Sequence, residues 1–123
     1  VVTENGLRRK IADTYVESLK GLGPLFQAPP YSPDETSCHF YPFFAFSRDA
    51  LLEYLRGRNI FPSVHYRSNA NYRVYNDIVR LSDLRGSKLY EDHQITLPMF
   101  PGMTDIEVQM VSRAVNDFYL EHI

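Results

Sequence analysis

The stretch "ITLPMFPGMTDIEVQMVSRAVNDFY", residues 95–119, carries two kinds of chain order on either side of one breaker. With Gln94 in front of it, the first part, "QITLPMF", reads as a brief extended segment that Pro101 and Gly102 stop. The second part reads as an amphipathic helix over residues 104–120. Thr104 and Glu107 stand at capping-box spacing and Met103 and Val108 at the spacing of a hydrophobic staple, while Val108, Val111, Val115 and Phe118 repeat at helical intervals. A short strand running into a capped helix with one apolar stripe needs a layer of each kind to bury against.

Upstream, Leu7, Ile11, Ala12, Tyr15, Val16 and Leu19 fall at helical spacing, and Gly21 marks the stop of that helix. Between residues 21 and 37 the chain holds Gly23, Pro24, Pro29, Pro30 and Pro33, which predicts a long surface connection. "CHFYPFFAF", residues 38–46, is apolar enough for a strand covered on both faces, with Pro42 assigned to an edge or a bulge. Ser47 is the expected cap of a helix through Leu51, Leu52 and Leu55 that ends near Asn59, a residue tolerant of left-handed backbone. A strand is expected over residues 60–64, a short helix over 72–79 with Tyr72, Tyr75 and Val79 on one side, and a short turn capped by Ser87. The order predicts an α+β fold, a small sheet of short strands packed with helices.

The sequence has 123 residues, which favours a single domain over 1–123, and 44% hydrophobic with 23% charged residues is an ordinary globular composition. No apolar run approaches the roughly 18 residues of a membrane span. Residues 1–10 contain no apolar run with a small-residue cleavage site, so no secretory signal is read and a cytoplasmic setting is expected. A net charge of -2 with scattered basic residues argues against nucleic acid as a partner. Cys38 is the single cysteine, which excludes an internal disulfide and a multi-thiolate zinc site. It neighbours His39 on the expected strand, where adjacent side chains point to opposite faces, so the two cannot form a nucleophile pair. The 4 histidines show no metalloprotease spacing, and no catalytic residue or metal ligand is assigned.

One stretch resists a purely structural reading. In "IFPSVHYRSNANYRVY", residues 60–75, an apolar run delivers His65, Tyr66, Arg67, Asn69 and Asn71 to a strand end and the loop after it, a common location for binding groups. From the residues alone, a surface loop with a structural histidine and a binding loop both remain open.

Three segments, "RRKIADTYVESL" from Arg8, "LLEYLRGRNIFPSVHY" from Leu51 and residues 95–119, together resemble the C-terminal small domain of the DegT/DnrJ/StrS-type sugar aminotransferases, pyridoxal-phosphate (PLP) enzymes of aspartate aminotransferase fold type I. The resemblance implies a substrate-covering domain of an enzyme acting on keto-sugar nucleotides. It implies His65, Tyr66, Arg67 and Asn69 as substrate-binding residues at the cleft with the large, cofactor-holding domain, which would be the partner. Arg67 stands where the family commonly has proline after the His-Tyr pair, and an arginine there suits a phosphate or carboxylate. Asn59 replaces a usual glycine. Leu97, Pro98, Met99, Phe100 and Pro101 match an "LPLYP"-like segment, read as core packing and chain reversal. Lys10, Lys20 and Lys88 lack the family's Schiff-base context, so this chain alone is expected to bind no PLP, to be catalytically silent, and to be prone to self-association through a bared surface. A stand-alone interaction module derived from such a domain is the competing reading, separable by whether the coding sequence continues upstream of Val1.

Overall fold

The computed structural model describes residues 3–27, 32 and 35–122. Helix α1 (Glu4–Leu19) starts under Thr3, whose hydroxyl accepts the Gly6 N–H at 3.0 Å. It buries Ile11, Ala12, Tyr15 and Leu19, whereas Val16, at the rim of that stripe, is exposed. The expected surface connection is more ordered at its start than its prolines suggested. A 3-10 segment over Lys20–Leu25 leads into strand β1 (Phe26–Gln27), and Pro29, Pro30 and Pro33 lie outside the described residues.

Strand β2 (Tyr41–Ala45) is followed by α2 (Arg48–Arg56), α3 (Arg85–His93), β3 (Gln94–Leu97) and α4 (Asp105–Glu121). The sheet is three-stranded and antiparallel in the order β1-β2-β3. Pro42 therefore lies in the central strand, not at an edge of the sheet, and the ladder explains why it is tolerated. Thr96 exchanges both backbone hydrogen bonds with Ser63, at 2.9 and 2.8 Å, so its N–H and C=O point away from β2. The Pro42–Thr96 pair is thus a non-hydrogen-bonded one, and the nitrogen of Pro42 faces the β1 side, where among the described residues β1 pairs with Phe44 and Ala45 and not with Pro42.

Tyr41, Phe43 and Ala45 share one sheet face with Ile95 and Leu97, and the buried side chains of α1, α2 and α4 pack against them. Phe43 sits 4.3 Å from the ring centre of Phe26 and 4.2 Å from that of Tyr41. Tyr15 crosses this core to donate to the carbonyl of Pro98 at 2.6 Å; within the Leu97–Pro101 segment Leu97 is buried and Met99 packs against the core, whereas Phe100 is exposed. The capping box at the start of α4 is present. Thr104 Oγ1 accepts the Glu107 N–H at 3.2 Å and Glu107 Oε2 accepts the Thr104 N–H at 2.7 Å, holding the Glu107 carboxyl below the usual carboxylate range.

Four further local expectations fail. Residues 60–64 form no strand beyond the isolated Ser63 bridge to Thr96, since Pro62 cannot donate to a ladder. Ser47 occupies the N-cap position of α2 but with left-handed backbone, φ 53°, and no side-chain cap bond. Residues 72–79 form no continuous helix: Tyr72 is extended (ψ 135°), a 3-10 turn covers Arg73–Tyr75, and the Tyr75 carbonyl then accepts from the Ile78 and Val79 N–H groups at 2.9 and 3.0 Å in a separate turn. Ser87 and Lys88, expected in a short turn, lie inside α3. Asn59 adopts φ 58° at the end of α2, as its residue type foretold.

Candidate functional site

Strand β3 fixes the site through its second face. Ile95 and Leu97 enter the core, so the pleat turns Gln94 and Thr96 to the opposite side, together with Phe44 and Pro42 of β2. Covering that face costs polar groups unless each finds a partner, and Gln94, fully buried, has one on both ends of its amide. Its Oε1 accepts the His65 N–H at 2.8 Å and its Nε2 donates to Thr96 Oγ1 at 2.7 Å. Thr96 Oγ1 lies 3.1 Å from His65 Nδ1. From α3, the Tyr90 hydroxyl donates to the His65 carbonyl at 2.9 Å while its ring packs edge-on against Phe44 at 5.4 Å. Burial, and next the neighbouring Tyr66, push the Tyr90 phenol up, so it stays a donor. His65 is thereby held at its N–H, its carbonyl and its ring, the last also against Phe40 at 5.0 Å.

The chain passes through a cis His65–Tyr66 peptide bond into a loop that α3 anchors a second time. Glu91 accepts the Ser68 N–H at 2.8 Å with one carboxylate oxygen and the Asn71 side-chain N–H with the other. Ser68 Oγ in turn accepts the Ala70 N–H at 3.3 Å and starts the Asn69–Asn71 turn. Ala70 is buried, and the loop shows Tyr66, Arg67 and Asn69 outward. Tyr66 is 67% exposed. The Arg67 guanidinium has no ion pair among the described residues and lies 6.0 Å from the Tyr72 ring centre, the outer limit of a cation–π contact.

The residues singled out from sequence fall into two adjoining depressions. Tyr66, Arg67 and Asn69 line an open groove of about 730 Å³, closed on its far side by Leu84, Tyr90 and Glu91. His65 lines a smaller pocket of about 210 Å³ with Phe40, Ser63, Thr96 and Pro98. The His65 and Tyr66 rings meet edge-on at 4.8 Å between the two. Sequence reading missed Gln94, Thr96, Tyr90 and Glu91. A signal existed for the first two, since polar residues at alternate positions of "QITL" mark one face of a buried strand as wet or hydrogen-bonded. Nothing local to Tyr90 and Glu91 reveals their partners twenty or more residues away.

Lys10, Lys20 and Lys88 are exposed and ion-paired, to Asp105 at 3.3 Å, to Glu17, and to Asp92 at 2.6 Å respectively. None lines either depression. Next to the His65 pocket, and sharing Phe61 and Pro98 with it, a further apolar groove of about 490 Å³ exposes Phe61, Phe100 and Met110 between the end of α2 and the start of α4.

The model of the DegT/DnrJ/EryC1/StrS aminotransferase family matches residues 3–116. This chain belongs to that family. Solved structures share its fold: S. venezuelae DesV, captured with a ketimine intermediate, has 24% identity and a TM-score of 0.86 over 94% of this chain and 32% of its own. Helicobacter pylori PseC, an aminotransferase involved in the biosynthesis of pseudoaminic acid, has 24% identity and a TM-score of 0.85 over 96% and 33%. Streptococcus pneumoniae Spr1654, solved in a PLP form, has 19% identity and a TM-score of 0.86 over 98% and 32%. The chain thus spans about a third of these family members' length. No helix among the described residues is long and apolar enough to cross a membrane.

Proposed function

We propose that this chain is the C-terminal, substrate-covering domain of a PLP-dependent aminotransferase acting on keto-sugar nucleotides. The observation that carries the reading is the doubly anchored 65–71 loop, which turns Tyr66, Arg67 and Asn69 out over an open groove beside His65. Its backbone bonds leave these side chains free for a ligand. Arg67, unpaired among the described residues, supplies a planar cationic fork for a phosphate or carboxylate oxygen. Asn69 and the Tyr66 hydroxyl suit sugar or ribose hydroxyls, and the ring of Tyr66 offers a stacking face. In this role the domain contributes positioning and exclusion of water.

PLP, when bound, supplies the electron sink of amino transfer. The residues of this chain do not fit the covalent anchor of that cofactor, since each lysine is exposed and held by a carboxylate on a helix surface. The cofactor is accordingly assigned to the remaining two thirds of a parent enzyme, in a large domain for which the Phe61–Phe100–Met110 surface is the docking candidate.

In the enzyme containing this chain, Arg67→Ala is expected to raise KM for the keto-sugar nucleotide with a smaller loss of kcat. Losing a hydrogen-bonded charge contact corresponds to about 1.5–3 kcal/mol, or roughly tenfold to a hundredfold in kcat/KM. The cofactor's absorbance spectrum should not change. Unchanged kinetics in both Arg67→Ala and His65→Ala would overturn the proposal and favour the interaction module.

A further inference from the structure

We infer that Gln94 and Thr96 are positioning residues that hold the neutral His65 ring with Nδ1 unprotonated and its single N–H at Nε2, so that the ring offers a ligand a hydrogen-bond donor. The inference deepens the proposed reading of His65 as a substrate-side residue and rests on it for its functional meaning. The orientation of the Gln94 amide is set by its partners. The backbone N–H of His65 is a donor, so the atom 2.8 Å from it must be the amide oxygen, which leaves Nε2 facing Thr96 at 2.7 Å. Thr96 Oγ1 must therefore accept from Gln94. Its own hydrogen then needs an acceptor. The backbone N–H and C=O of Thr96 are both taken by Ser63, and the acceptor within reach is His65 Nδ1 at 3.1 Å.

The reverse arrangement, with Nδ1–H donating to Thr96, gives one hydroxyl two donors and strands its own hydrogen in a place where Thr96 is 5% exposed. A buried donor without an acceptor is disfavoured enough to bias the tautomers by roughly tenfold or more. The chain of donors therefore runs one way, from amide to hydroxyl to ring. Nε2 has no hydrogen-bond partner among the described residues, and the ring borders the pocket shared with Ser63 and Pro98. What such a ring recognises is an accepting oxygen, of a phosphoryl, carbonyl or hydroxyl group, rather than a donor.

The test reads the ring nitrogens of His65 directly by nitrogen-15 NMR on the chain, in the wild type and two kinds of variant. The wild type should show a pyridine-like Nδ1 and a pyrrole-like Nε2. Gln94→Glu makes position 94 an acceptor at both oxygens, so Thr96 should donate to it and accept from the ring. The Nδ1 signal should then become pyrrole-like. Thr96→Val removes the relay and should move both nitrogens toward the averaged positions of a freely exchanging ring, and Thr96→Ser should restore the wild-type pattern. A pyrrole-like Nδ1 in the wild type overturns the inference, as does a folded Gln94→Glu variant with the wild-type pattern. Should Gln94→Glu not fold, an unchanged His65 spectrum in Thr96→Val overturns it equally. His65→Ala kinetics in the parent enzyme judge the substrate-side reading separately, since indifference there leaves the NMR result standing.

Discussion

Replacing Glu91 with Ala removes the clamp that ties the 65–71 loop to α3. Two hydrogen bonds to one carboxylate are lost, from the Ser68 N–H at 2.8 Å and from the Asn71 side chain. Bonds to a charged acceptor contribute about 1.5–3 kcal/mol each, but Ser68 and Asn71 are only half-buried and regain water, so the pair together is expected to cost about 1.5–3 kcal/mol. Local opening of the loop should rise by roughly tenfold to a hundredfold. Amide hydrogen exchange reads this at Asn71 and Tyr72, whose N–H groups bond to the carbonyls of Ser68 and Asn69 at 3.0 Å. Both should lose protection, while amides in the buried stretch of α4 around Val115 should keep theirs. Glu91→Gln, which retains an acceptor for Ser68, should fall between. Equal protection in wild type and Glu91→Ala would refute the clamp. Uniform loss through α4 would show instead that Glu91 supports the whole fold.

Other perturbations test the frame around the site. Thr104→Ala should lower stability by about 1 kcal/mol through loss of the α4 cap, seen as a lower urea midpoint at unchanged slope. The depressed Glu107 carboxyl adds stability that is present above the unfolded carboxylate range, near pH 4, and lost as pH falls through its folded value; acid titration of Thr104→Ala should show that loss reduced. Burial pushes the Tyr15 and Tyr119 phenols up, so their stabilisation holds below about pH 10 and declines as pH rises beyond it. Ultraviolet titration should show both ionising only with alkaline unfolding. Phe43→Ala, which opens a cavity among Phe26, Tyr41 and Tyr15, should cost about 3–5 kcal/mol by urea denaturation.

What the sequence determined by itself is whatever depends on neighbours along the chain. The capping box at Thr104, the stripes of α1, α2 and α4, the left-handed turn at Asn59 and the apolar strand around Phe43 are all set within a few residues, where periodicity and cap chemistry act. The α+β class followed from their order, and family membership from three separated motifs. The tertiary structure alone decided what depends on pairing at a distance. Phe26 becomes a strand because Ala45 is there to pair with it, and Pro42 sits in the central strand because Thr96 turns its own backbone toward Ser63. Helix α3 buries no residue fully, so no apolar stripe announced it, and it is held by Tyr90 on Phe44 and by Glu91 on the loop. The same holds for the 65–71 loop. Its outward residues were visible as a polar run after an apolar one, but the amide, hydroxyl and carboxylate that aim them come from β3 and α3, brought near by folding and satisfied there because a buried polar group must find a partner.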